Sequence, residues 1–304
     1  MMQERRPAMS NLYDIITEKI VKQLDNGIIP WIKPWTCSTG AVSHTNGRPY
    51  SLLNQILLMD DGDSIFDLPS REYITFNQVK AEGGNVRKGE KSKMVVFWKV
   101  YERETGEVLE DGTKEVVTVP VLRYYNVFEV SQCEGISRKY EAEIREHEPI
   151  AEAESIIEAY FGRETCRLVV KNSDRAYYSP IEDLVCVPQK SQYEEVEKYY
   201  STLFHEMTHS TGHPSRLNRR NANEIAAFGS ESYSKEELVA ELGSAFLMNR
   251  AGIDCKSTFS NSVAYIQEWS KALRRETHLF VNAAAKAEAA VNYITGNEKQ
   301  FQNA

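Results

Sequence analysis

The pentapeptide His205-Glu206-Met207-Thr208-His209 constrains this chain more than any other feature, because its chemistry works only if the backbone around it is helical. Residues four apart on an α-helix share a face, so both imidazoles can grip one ion while Glu206, one step round, reaches a water on that ion. Zinc held in this way lowers the pKa of its water toward about 7, and the glutamate takes the proton as the hydroxide attacks a carbonyl. The flanking sequence supports a helix of about twenty residues. Ser191 and Glu194 have capping-box spacing, Val196, Tyr200, Leu203 and Met207 repeat at steps of four, three and four, and Gly212 followed by Pro214 supplies a stop.

Two histidines do not complete a zinc site, which needs a third protein ligand and one position left for water. His213 continues the four-residue series, but three residues of one helical row lie on a line and converge only if the Gly212 break bends the chain. Position 215, where metzincins carry histidine, is Ser215. A second helix is expected from Ser234, carrying Glu236, Glu237 and Glu241. In the gluzincin arrangement a following helix donates a carboxylate and an acid four residues later orients the first histidine; Glu237 and Glu241 have that spacing, so Glu237 is the favoured third ligand and Glu241 the orienting acid or the alternative ligand. Ser234 and Glu237 also have capping-box spacing, and Glu236 reads as a solvated charge. Mn2+ and Co2+ can occupy the same ligands as Zn2+. Candidate groups for steadying an oxyanion are Tyr178, Tyr233 and His213.

Composition frames this site. The chain has 304 residues, 41% of them hydrophobic and 26% charged, the balance of a soluble globular protein long enough for two cores. No run approaches a membrane span, and the opening Met-Met-Gln-Glu-Arg-Arg-Pro has no apolar stretch behind it, so no signal peptide is expected and the cytoplasm is the default compartment. Cys37, Cys133, Cys166, Cys186 and Cys255 are scattered and odd in number, which reads as reduced thiols rather than metal ligands.

The fold class is α+β: a mixed α/antiparallel-β domain over residues 1–135, a charged linker at 136–150 closed by Pro149, and a mainly helical domain over 151–304. A first helix is expected over Ser10–Asn26, with Leu12, Ile15, Ile16, Ile20 and Leu24 on one face. Strands are expected at Met94–Tyr101 and Val116–Val130, paired antiparallel through turns at Thr105-Gly106 and Asp111-Gly112. Downstream come a helix at Ala151–Phe161, strands at Leu168–Val170 and Leu184–Val187, the two motif helices and a helical stretch over Asn261–Ile294.

Aromatic residues cluster at Trp31 and Trp35, at Tyr73 and Phe76, and at Phe97, Trp98 and Tyr101. Residues 71–103 carry eight basic side chains against four acidic ones, a local positive excess in a chain of net charge −8. Aromatics that stack bases beside cations that track phosphates suit a sequence-tolerant single-strand binder. The candidate contacts are Trp31, Trp35, Arg87, Lys88, Lys91, Lys93 and Trp98. Aromatics in strands are also ordinary core, and the acidic total argues against a broad DNA-coating surface.

Several ordered motifs resemble the ArdC antirestriction family: Asn11-Leu-Tyr-Asp-Ile-Ile, Ile28-Ile-Pro-Trp31, Asn46-Gly-Arg-Pro-Tyr50 with Leu53-Asn54, Gly83-Gly-Asn-Val-Arg87-Lys88-Gly-Glu-Lys91, Tyr125-Asn-Val-Phe128 with Gln132-Cys-Glu-Gly, and Tyr199 through His213 with Arg216-Leu-Asn-Arg219. The resemblance spans residues 10–260 and implies an N-terminal single-stranded-DNA-binding domain followed by a zincin-like metallopeptidase domain, in a protein of conjugative plasmids and other mobile elements that helps incoming DNA survive restriction. It places the metal on His205, His209 and the Glu237 region, with Glu206 as base. Ser210 departs from the family, where an aromatic is common. The implied protein substrate is unknown. Two other readings are a DNA-binding protein whose metal is purely structural, and a stand-alone cytosolic peptidase effector.

Overall fold

The computed structural model describes residues 9–26, 29, 40–58, 71–108, 114–140, 149–219, 231–253 and 263–297. Helix α1 (Met9–Asp25) follows the expected periodicity. Leu12, Ile16, Ile20 and Leu24 are buried, but Ile15 is exposed and Val21 and Thr17 complete the inward face. The buried stripe is thus rotated by one position from the one expected.

Four strands form the first sheet, in the order β1 (Ala41–Ser43), β2 (Arg71–Thr75), β5 (Lys114–Glu129), β4 (Lys93–Val108). The β1–β2 pair is parallel and the others antiparallel. The β4–β5 hairpin is longer than the apolar pattern suggests, because pairing continues past Arg103↔Val117 to Val108↔Lys114. Thr105-Gly106 is therefore not a turn. It lies in β4 where the register shifts, an interruption that a Thr-Gly step suits. Asp111-Gly112 lies outside the described residues.

Two short helices left unassigned by periodicity, α2 (Leu52–Leu58) and α3 (Phe76–Ala81), pack against this sheet. Each is too short to display a 3.6-residue repeat, and α3 is marked instead by a Thr75/Gln78 capping box. A two-stranded ladder joins β3 (Asn85–Val86) to β6 (Cys133–Glu134).

Residues beyond β6 stay attached to the sheet. Fully buried His44 sets its Nδ1 2.6 Å from Glu72, which accepts from the backbone N–H groups of Lys139 (2.9 Å) and Tyr140 (2.5 Å). Burial alone would raise the Glu72 pKa, yet these donors and His44 hold it below the ordinary carboxylate value. Part of the expected linker is thereby pinned to the N-terminal half.

In the C-terminal half, α4 (Pro149–Arg163) starts at its proline, the helical position where a missing N–H costs least. A three-stranded sheet follows in the order β7 (Arg167–Lys171), β9 (Leu184–Pro188), β8 (Tyr177–Ser179). Helix α5 (Val196–Ser210) carries the pentapeptide, and α6 (Glu231–Arg250) runs past it. The expected C-terminal stretch is divided into α7 (Val263–Arg275) and α8 (Leu279–Thr295).

One apolar core joins the two halves. Leu12, Ile16, Ile20 and Leu24 of α1, Ile56 and Leu57 of α2, and Val96 and Leu122 of the hairpin base belong to the same buried cluster as Leu203, Leu242, Phe280 and Ile294. Thr17 Oγ1 donates to the Thr277 carbonyl at 2.8 Å, and Ser270 Oγ donates to Asp25 at 2.8 Å. Cys133, Cys166 and Cys186 are buried free thiols, as expected, while Cys37 and Cys255 lie outside the described residues. No described helix is long and apolar enough to cross a membrane.

Candidate functional site

Helix α5 is shorter than its sequence signals suggest. Its N-cap is Glu195, and Ser191 belongs to a separate 3-10 turn at Lys190–Gln192, so the Ser191/Glu194 spacing does not cap it. The apolar stripe is as expected: Tyr200, Leu203 and Met207 are fully buried. Helix α6 begins at Glu231, which puts Ser234 inside the helix rather than at its start.

The two helices cross through small side chains. Ser244 Oγ donates to the Ser201 carbonyl at 2.8 Å, and a Cβ placed on Gly243 would lie 2.5 Å from Thr208 Cγ2. The contact at Gly243 therefore requires the absence of a side chain, and it sets the distance at which the polar groups of α5 and α6 meet.

Those groups form a compact triangle. His205 Nε2 lies 3.1 Å from His209 Nε2, and the two nitrogens lie 3.3 Å from Glu237 Oε2 and Oε1 respectively. A tetrahedral ion with bonds of about 2.0–2.1 Å has ligands about 3.3 Å apart, so the two nitrogens suit two vertices and the Glu237 carboxylate, each oxygen of which lies 3.3 Å from one of them, suits a third, leaving one for water or substrate. Among the described residues, His205, His209 and Glu237 are the one group whose ligand atoms converge closely enough to hold a metal ion. Glu206 is buried beside them.

The electrostatics are those of a carboxylate-rich cluster. Burial would lower the His205 pKa, but Glu237, Glu241 and Glu206 raise it to about 9. Glu237 is pushed by burial upward and by the two histidines further downward, well below the ordinary carboxylate value. Glu241 thus acts on the first histidine through its charge. His213 turns away, its Nδ1 2.7 Å from Ser215 Oγ, and is not in the ligand group.

Glu236 is not the solvated charge its sequence context suggests. Its side chain is 14% exposed, accepts from Arg219 Nη2 at 2.9 Å, and places Oε1 3.5 Å from His209 Nδ1. Arg219 and His209 hold its pKa down at about 2 against the upward pull of burial. The pairing of Arg219 with Glu236 is not legible in sequence, because it depends on how the segment after α5 folds back. Tyr178, a candidate oxyanion group, has its hydroxyl engaged by Asp183 (2.9 Å) and Arg216 (3.1 Å), a buried network bracing that segment against the second sheet. The side chain of Tyr233 lies outside the described residues.

The candidate DNA contacts are dispersed. Trp31 and Trp35 lie outside the described residues. Arg87, Lys88 and Lys91 are exposed on the turn after β3, with Arg87 paired to Glu90 at 2.9 Å. Lys93 donates to the Leu58 carbonyl at 2.9 Å and sits over the Tyr73 ring. Trp98 lies on the β4 face opposite Phe97, Lys99 and Tyr101, since alternate residues of a strand point to opposite sides.

That second face has an order that composition could not reveal. Phe97 packs on Tyr125 with ring centroids 5.6 Å apart, Lys99 Nζ lies 5.1 Å over the Tyr101 ring, and Arg123 donates to the Tyr101 hydroxyl at 3.0 Å. Arg103 continues the row. Phe97, Lys99, Tyr101 and Arg103 of β4 with Arg123 and Tyr125 of β5 make a strip of alternating rings and cations, from which the acidic Glu102 points away.

Residues 10–128 match the family profile described as "N-terminal domain of anti-restriction factor ArdC", and residues 154–286 match "Zincin-like metallopeptidase". The chain is similar to the crystal structures of the antirestriction ArdC protein from the R388 plasmid. The metal-free form is 32% identical with a TM-score of 0.71, and the Mn(II)-bound form 30% identical with 0.73. Each match covers 96% of this chain and 99% of the other. It also resembles DNA primase TraC of Escherichia coli, 32% identical in two forms, but spans only 21% and 28% of their lengths.

Proposed function

Because this chain belongs to the ArdC antirestriction family, we propose that it is a cytoplasmic protein of a mobile element that binds single-stranded DNA with its N-terminal half and hydrolyses a protein substrate at its metal centre. The observation that carries the hydrolytic reading is the His205–His209–Glu237 triangle with Glu206 buried beside it. The zincin-like half and the Mn(II)-bound relative point to a divalent ion, and we assign Zn2+ from the nitrogen-rich ligand set. Such an ion, when bound, acidifies a water and polarises the substrate carbonyl. Glu206 takes the proton from the attacking water and returns it to the departing amine.

The nucleic-acid reading is supported by the ring-and-cation strip on β4 and β5. Exposed Tyr125 supplies a stacking surface, and Lys99, Arg103 and Arg123 supply charge that follows phosphates.

The test uses the full chain. Hydrolysis of an unfolded protein such as casein is followed with and without single-stranded oligonucleotide, beside metal analysis and fluorescence anisotropy with a labelled oligothymidine. Metal in stoichiometric amount, hydrolysis absent in Glu206→Gln and salt-dependent anisotropy support the proposal. Metal and DNA binding without turnover would make the centre structural, and binding indifferent to salt would remove the DNA reading.

A further inference from the structure

We infer that Arg219 and Glu236 form a positioning pair that fixes which nitrogen of His209 faces the metal. The inference rests on the divalent-ion reading of the triangle. His209 presents Nε2 to His205 and Glu237, at 3.1 and 3.3 Å, and on the other side of its ring Nδ1 lies 3.5 Å from Glu236 Oε1. A neutral imidazole carries one proton, and a carboxylate beside Nδ1 draws it there, leaving the Nε2 lone pair for the ion.

Glu236 needs its own restraint, because it adjoins Glu237 and a free carboxylate so close to a cation would compete as a ligand. Arg219 provides it from both ends of the carboxylate, with Nη2 2.9 Å from Oε1 and Nε 3.4 Å from Oε2. The guanidinium is itself anchored to α5, donating through Nη2 to the Thr208 carbonyl at 2.8 Å and through Nη1 to Thr211 Oγ1 at 2.7 Å. The side chains of Arg219 and His209 are each 6% exposed, so water competes weakly for these contacts. The chain from Thr208 through Arg219 and Glu236 to His209 closes on itself. It ties the last turn of α5 to the first turns of α6, where the ligand Glu237 sits. Lysine, a single point donor, cannot reproduce this fork.

The pair is tested by metal affinity and by tautomer, neither of which depends on turnover. In the full-length protein stripped of metal, Co(II) is titrated by its visible absorption, and Zn(II) affinity is read by competition with a chromophoric chelator. Glu236→Gln and Arg219→Gln are expected to weaken affinity about 10- to 100-fold and to alter the Co(II) spectrum. Arg219→Lys should fall between them and the wild type. Should the variants fail to fold, long-range proton–nitrogen NMR of histidine-labelled wild type still decides the matter, with the proton expected on His209 Nδ1. A His209 Nε2–H tautomer, or Glu236→Gln affinity within about twofold of wild type with an unchanged spectrum, overturns the pair. Absence of Co(II) binding by the wild type overturns instead the divalent-ion reading beneath it.

Discussion

The crossing of α5 and α6 and the ring-and-cation strip of the β4–β5 hairpin are the regions to which the two activities are proposed to belong, and they are built on opposite principles. At the crossing, the polar groups are largely shielded from water and engaged: His209 by Glu237 and Glu236, Glu236 by Arg219, and Arg219 by the end of α5. On the hairpin, Lys99, Arg103, Arg123 and Tyr125 are exposed. Hydrolysis needs groups held to within fractions of an ångström where water cannot screen them, whereas stacking on a flexible strand needs only accessible rings and charge at roughly the right spacing. The first region should therefore be intolerant of small changes and the second sensitive mainly to charge and salt.

The sharpest way to break that contrast is Glu206→Gln. Hydrolysis is expected to fall by about a thousandfold with bound metal retained, as read by steady-state rates and metal analysis. A milder loss would mean that the centre tolerates change as the hairpin should. Gly243→Ala tests the same rigidity without touching a ligand. The new methyl meets Thr208 and forces the helices apart, at a cost of about 1–3 kcal/mol that outweighs the better helix propensity of alanine. The midpoint of thermal unfolding and Zn(II) affinity should both drop, and an unchanged midpoint would show that the crossing yields.

On the hairpin, Lys99→Glu with Arg123→Glu should weaken oligothymidine binding about tenfold at moderate salt and flatten its salt dependence by about one to two units of slope. Trp98→Ala, on the opposite face, should leave binding within about twofold. A larger effect from Trp98 than from the charge pair would move the strip to the other side.

A separate, modest effect on stability is expected where the two halves meet. Glu288 of α8 accepts from the Leu52 backbone N–H of α2, yet burial raises its pKa to about 7. A carboxyl raised in the folded state binds more protons there than when unfolded, so it removes stability as pH rises from about 4.5 to 7 and contributes nothing to pH dependence below that window. Glu288→Gln should abolish this slope and stabilise the protein at pH 8 by on the order of 1 kcal/mol, measured by chemical denaturation at pH 5 and pH 8. An unchanged slope would assign the pH dependence to other groups.

Much of the candidate metal site was legible in sequence, because helical periodicity is a local property: spacing alone puts His205 and His209 on one face, and a following acidic helix offers Glu237. Glu236 was misread for the same reason. Periodicity places it one step from the ligand but says nothing of Arg219, seventeen residues earlier, which the chain brings back to it. The hairpin was legible as two strands, yet the DNA candidates came from composition, which does not distinguish Trp98 from Phe97 and Tyr101 on opposite faces. Capping signals at Ser191 and Ser234 misled, since the same residue types also suit turns and first helical turns.

Local pattern was sufficient for the placing of His205 and His209 on one helical face, the span of α1 and the antiparallel β4–β5 pair, because each follows from the repeat of the chain over neighbouring residues. The tertiary fold alone settled how near α5 and α6 come at Gly243, which carboxylate serves His209, and that α1 and α2 share one core with α7 and α8. These depend on groups far apart in the chain whose burial and charge become compatible only once they are packed together.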